Sequence, residues 1–230
     1  MEEKNPDDQQ KNTCARERVL YPNGMNDSTV ANSTQIGNGI IHQRDAIDFL
    51  KEYDGEKFQL IIADPPYFQV LLEHHWDNTW ENSVNYLAWT RQWVRACKSV
   101  LRPDGLLYIF GQLGKREHVW LHNCSMLASV MQFHDMIIWD RAVGYNERSD
   151  SFTPQYEMIL VLRQSANSEP YFNKDAVRIS YDEDTIKMYS KDKRYKDKAA
   201  RLAHLNKGKY ATNSFLQLIG APADQRLFVL

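Results

Sequence analysis

An α/β fold, with a parallel sheet and helices on both faces, is what this 230-residue sequence predicts, and three observations carry that expectation. An apolar run, Phe58-Gln59-Leu60-Ile61-Ile62-Ala63, ends abruptly at a carboxylate and two prolines, as a buried strand does where the chain leaves a sheet. A second apolar run, Leu106 to Phe110, follows a helix-periodic segment and a turn. Strand-like and helix-like stretches then alternate to about residue 165, and right-handed crossovers between parallel strands place the helices on the sheet faces.

The elements follow in order. Residues 1–36 are rich in Asn, Asp and Ser without a sustained period and read as a mobile N-terminal arm. A strand near 39–43 and a helix near 45–52 lead into the central strand 58–64. A long loop follows Tyr67, and loops of such length are usually functional or disordered. Ser83, a good N-cap, opens a helix in which Val84, Leu87, Val94, Cys97 and Leu101 recur at helical spacing, and Arg102-Pro103-Asp104-Gly105 stops it. A helix over about 115–130 and strands near 133–139 and 157–163 complete the alternation. Gly111-Gln112-Leu113-Gly114 lacks the close-packed glycine pattern of a cofactor loop and reads better as a strand-to-helix turn.

Composition narrows the function classes. With 43% hydrophobic and 25% charged residues the chain can bury one sizeable core, and no apolar run approaches the roughly 18 residues of a membrane span. The charged, polar first 20 residues do not resemble a signal peptide, so the expected location is the cytoplasm, with no membrane partner. Cys14, Cys97 and Cys124 are too few and scattered for a disulfide framework or a zinc site, and no metal is expected.

The chemistry concentrates in Asp64-Pro65-Pro66-Tyr67, at the carboxyl end of the central strand, where function sits in such sheets. Pro65 and Pro66 have fixed φ and no N–H, so they make a rigid turn whose carbonyls lack a ladder partner. Asp64 adds an acceptor-only carboxylate and Tyr67 an aromatic face. A wall of acceptors beside a stacking surface suits an exocyclic amino group on a flat heterocycle. A strand-ending turn with a capping Asp and a core Tyr is the plainer alternative.

Those four residues resemble the (D/N/S)-P-P-(Y/F/W) motif of amino-methylating DNA methyltransferases. Other segments match in order: Ile40 to Ala46 upstream, then Trp76-Asp77-Asn78-Thr79-Trp80, Tyr86-Leu87-Ala88-Trp89, and Leu101 to Gly111 downstream. The likeness is to the beta subgroup and covers roughly residues 38–165. It implies a Rossmann-like S-adenosylmethionine-dependent sheet, a catalytic domain over 37–165, and a target-recognition-like region over 166–230. It also implies that Asp64, Pro65, Pro66 and Tyr67 are catalytic and that Asp45 and Asp64 contact S-adenosylmethionine. Nothing in the chain matches the subgroup's Asp-Pro-Phe-x-Gly-x-Gly cofactor motif. The fold is therefore expected to be incomplete at its C-terminus, and the chain alone to bind the cofactor weakly, on the order of millimolar, and to transfer no methyl group.

Between Lys187 and Lys209 lie nine basic residues against two acidic ones, in a chain whose formal charge is -2. That asymmetry suits a polyanion, and Lys191, Lys193, Arg194 and Lys196 are the candidate contacts to double-stranded DNA. The expected function is site-specific methylation of adenine N6, as in a restriction-modification system. Methylation of cytosine N4 is the alternative within the class, and a non-catalytic DNA-binding remnant is the alternative outside it. A homodimer or a complementing polypeptide is the expected protein partner.

Overall fold

The computed structural model describes residues 32–71, 73–113, 117–141, 144, 147 and 149–216. The chain divides into two compact units after Gln43.

The first unit is an antiparallel hairpin of β1 (Asn32–Ile36) and β2 (Gly39–Gln43), with Ile36 opposite Gly39. Gly37 turns the corner at φ 57°, a left-handed conformation that glycine adopts without penalty. The segment expected as an upstream strand of the main sheet is thus half of a separate ribbon, and its residues are exposed along their whole length. β1 occupies the last residues of the expected arm, whose first 31 residues lie outside the described ones.

In the second unit, α1 (Ala46–Glu52) leads to β3 (Phe58–Ala63), then α2 (Ser83–Val100), β4 (Leu101–Gly111), α3 (Val119–Val130), β5 (Gln132–Asp140), β6 (Tyr156–Arg163), α4 (Glu183–Ser190), α5 (Lys198–Asn206) and β7 (Ser214–Leu216). The sheet order is β3-β4-β6-β5-β7. β3 pairs parallel with β4, and β5 parallel with β7, but β6 is antiparallel to both of its neighbours. The sheet is therefore mixed, which corrects the expectation of an all-parallel one. Among the described residues the connection from β5 to β6 holds no helix, and strands joined without a crossover helix run antiparallel.

Strand alternation sends Ile61, Leu107, Ile109, Leu160 and Leu162 to one face, where Ile47 of α1, Trp93, Val94 and Cys97 of α2, and Trp120 and Leu127 of α3 close the core. Each fully buried leucine there contributes about 1.5–3 kcal/mol of transfer free energy. The side chain of Asn82, rather than Ser83, caps α2 by accepting from the Asn85 N–H at 3.0 Å. Gly111, last in β4, lies flat against the Trp120 ring, where a Cβ would collide. Its role is close strand-to-helix packing, in line with the turn reading. Gly114 lies outside the described residues.

Candidate active site at the end of strand β3

β3 ends at Ala63, and Asp64-Pro65-Pro66-Tyr67 leaves the sheet with no regular structure. The Tyr67 hydroxyl turns back and donates to Asp64 Oδ1 at 2.7 Å. The second carboxylate oxygen of Asp64 stays uncommitted among the described residues, on an exposed side chain. Tyr86, in the first turn of α2, donates its hydroxyl to the Pro66 carbonyl at 2.6 Å. The Pro65 carbonyl has no protein partner among the described residues. The four motif residues thus present one free carboxylate oxygen and one free carbonyl beside a half-buried phenol.

The backbone behind the motif is strained. Phe68 and Gln69 sit at φ 60° and 54°, the left-handed region, without being glycines. Each such residue costs about 1–3 kcal/mol and persists only where its surroundings hold it. Here they do. Phe68 is buried against Tyr86 and Val119, the Gln69 N–H donates to the Asp77 carbonyl at 2.9 Å, and Asp77 Oδ2 accepts from the N–H groups of Val70 and Leu71, both at 2.7 Å. Asp77 is 1% exposed and is a buried anchor for the loop after the motif. Trp80 packs edge-on against Tyr86 and against Trp89, a packing role.

Two residues that sequence reasoning missed complete the site. Glu157, the second residue of β6, lies opposite Trp139 near the end of β5, and Arg141, just past β5, pairs with it at 2.5 Å. Both act electrostatically on Tyr67. Burial, first of all, pushes the Tyr67 phenol up, with the Asp64 hydrogen bond and carboxylate adding to the effect, so it is a hydrogen-bond donor at any ordinary pH. Burial also raises Glu157, the Arg141 guanidinium opposes the rise, and the Asp64 carboxylate adds to it. The sequence signal for Glu157 is a lone carboxylate at the head of the otherwise apolar run Met158 to Leu162. Nothing local marks Arg141.

Residues 58–218 match the profile of the DNA methylase family of N6/N4 type, well over half of the chain. The chain belongs to that family. Among relatives, the Type II methyltransferase M1.MboII of Moraxella bovis is 33% identical over 152 residues, which cover 65% of this chain and 55% of the relative. M.HpaI of Haemophilus parainfluenzae is 27% identical over 134 residues, 58% of this chain and 41% of the relative. This family member therefore spans about half the length of the relatives it matches. Of solved structures, the cytosine-N4-specific PvuII DNA methyltransferase aligns with a TM-score of 0.48 at 12% identity, covering 79% of this chain and 58% of that one.

Elsewhere in this family member, Asp45 caps α1. Its Oδ1 accepts from the N–H groups of Ile47 at 2.8 Å and Asp48 at 3.0 Å, leaving Oδ2 uncommitted among the described residues. Arg44 beside it pairs with Glu52 at 2.6 Å. In the basic segment, Lys191, Lys193, Arg194 and Lys196 are all exposed and lie between α4 and α5. Arg194 forks onto Asp192, with Nη2 to Oδ2 at 2.7 Å, and holds that carboxyl down at about 2. The ammonium groups of Lys191, Lys193 and Lys196 have no protein partner among the described residues. Arg194, Tyr195, Lys196, Arg201 and His204 line a cleft of about 530 Å³, and Arg201 stacks over Tyr195 at 4.2 Å.

Proposed function

We propose that this chain carries the catalytic centre of a site-specific DNA methyltransferase acting from S-adenosylmethionine on adenine N6. One observation carries the reading: a free carboxylate oxygen on Asp64 and a free Pro65 carbonyl stand together at a strand end, beside Tyr67. An exocyclic amine has two hydrogens to place, and these two acceptors take one each. Accepting both hydrogens directs the nitrogen lone pair away from the motif, toward an incoming methyl group. The target base must leave the duplex to reach them, at a cost of a few kcal/mol, and the Tyr67 ring offers it a stacking face. Positioning and fixed acceptors then do the work, without a covalent enzyme intermediate.

The acceptor set fits the cofactor. S-adenosylmethionine is a cationic methyl donor with ribose hydroxyls, and both Asp64 and Asp45 retain an uncommitted carboxylate oxygen. Asp45 would hold the adenosine portion and Asp64 the end near the reacting amine. Gly111, packed on Trp120, offers the cofactor no close backbone approach. β3 is an edge of the sheet, with one side of its backbone unpaired among the described residues. Such an edge suits pairing with a further strand, so we infer that a second copy or a complementing polypeptide supports the cofactor side.

Nucleoside mass spectrometry of duplex DNA incubated with the chain, with the cofactor at several-fold above an affinity on the order of millimolar, tests the reading. At a cofactor level that overcomes the weak affinity N6-methyladenine is expected, against the sequence-based expectation of no transfer, and Asp64→Ala is expected to lower its yield by about two orders of magnitude or more while DNA binding persists. N4-methylcytosine instead would move the target to cytosine. No methylated nucleoside from the unaltered chain would leave only the DNA-binding reading. That part has its own test: neutralising Lys191, Lys193 and Lys196 should weaken binding alike for all sequences and flatten its salt dependence by roughly 0.9 units of slope per lost contact.

A further inference from the structure

We infer that Tyr86 is the positioning residue of the motif, fixing which of its two proline carbonyls faces the target amine. The inference rests on the methyltransferase reading above and deepens it. Tyr86 lies twenty residues beyond Pro66, is 2% exposed, and reaches the turn from α2. Its own place is set by the Asn82 cap, whose carbonyl accepts from the Tyr86 N–H at 3.2 Å.

Tyr86 grips the motif at two points. Its hydroxyl donates to the Pro66 carbonyl at 2.6 Å, and its ring packs on Phe68 at a centroid distance of 5.2 Å. Proline has a fixed φ, so the rotation left to Pro66 is about ψ. Holding its carbonyl oxygen removes that freedom and orients the peptide plane that delivers Tyr67 toward Asp64. The ring contact on Phe68 holds the far side of Tyr67, where the backbone enters its left-handed conformation. Trp80 and Trp89 wall the tyrosine in, with ring centroids at 5.0 Å and 5.7 Å. Burial keeps its hydroxyl protonated and therefore a donor.

The consequence is a choice between two chemically equivalent carbonyls. With the Pro66 oxygen occupied, the Pro65 oxygen is the one left to accept from an amine. Without the Tyr86 hydroxyl, both carbonyls are open to the amine, and the turn loses its one hold on the Pro66 peptide among the described residues.

Tyr86→Phe in the full chain tests this, since it keeps the ring and removes the hydroxyl. Hydrogen exchange read by mass spectrometry should accelerate about tenfold in the peptide covering residues 64–71, the size of one lost buried hydrogen bond. Exchange in β4 should stay as it was, and the melting temperature should fall by no more than about 2–4 °C. Under the methylation conditions above, kcat should fall about tenfold with KM for DNA unchanged. Unaltered exchange over 64–71, or acceleration spread over the whole unit, would overturn the inference, as would local acceleration with kcat intact. If the unaltered chain methylates nothing, the functional reading fails, and the exchange result still decides whether Tyr86 holds the turn.

Discussion

β3 and β6 look alike as sequence and live differently in the fold. Phe58 to Ala63 and Met158 to Leu162 are both short apolar runs of the kind a buried strand needs. β6 sits in the middle of the sheet, antiparallel to a neighbour on each side, and is buried from Glu157 to Leu162. β3 sits at the edge, packs Ile61 and Ala63 on the core, and leaves Leu60 and Ile62 exposed on its other face. An apolar run establishes a strand but says nothing of its neighbours. The two strands also divide the labour. The strand that carries the candidate motif is open on one side, and the strand that secures the sheet contributes Glu157 to the candidate site from its buried start.

Substitutions sharpen that contrast. Leu160→Ala removes a side chain with no solvent exposure from the centre of the sheet, and should cost about 2–5 kcal/mol, read as a shifted midpoint in denaturant at unchanged slope. Gly111→Ala, between the end of β4 and the Trp120 ring, should cost about 1–3 kcal/mol by overpacking, with the loss seen in the same titration. Leu60→Ala should be the mildest, under about 1 kcal/mol, because its side chain is already in contact with water. A cost at Leu60 equal to that at Leu160 would erase the contrast and show that β3 is covered on that face in solution.

Part of the candidate site is legible in the sequence. Asp64-Pro65-Pro66-Tyr67 announces itself because the strand end, the fixed φ of proline and the acceptor chemistry are properties of adjacent residues. Glu157 and Arg141 do not, because they reach Tyr67 from segments some seventy-five to ninety residues away. The basic segment is visible as composition, but its division is not. Asp192 ties down Arg194 and leaves the three lysines available, and only the folded geometry shows it.

By itself the sequence determined the α/β class, the strand at 58–63, the helix from Ser83 to Val100 and the turn that carries the motif, all of which follow from local periodicity and local backbone restriction, but it read that strand as central and buried where the structure sets it at the sheet edge. Tertiary structure decided the rest: that β2 folds onto β1, that β6 enters between β4 and β5 antiparallel to both, and that a tyrosine of α2 holds the second proline of the motif. The physical reason is one of range. Strand pairing and side-chain anchoring are chosen among many distant partners by the burial and hydrogen bonds each choice satisfies together, and no window of neighbouring residues contains that competition.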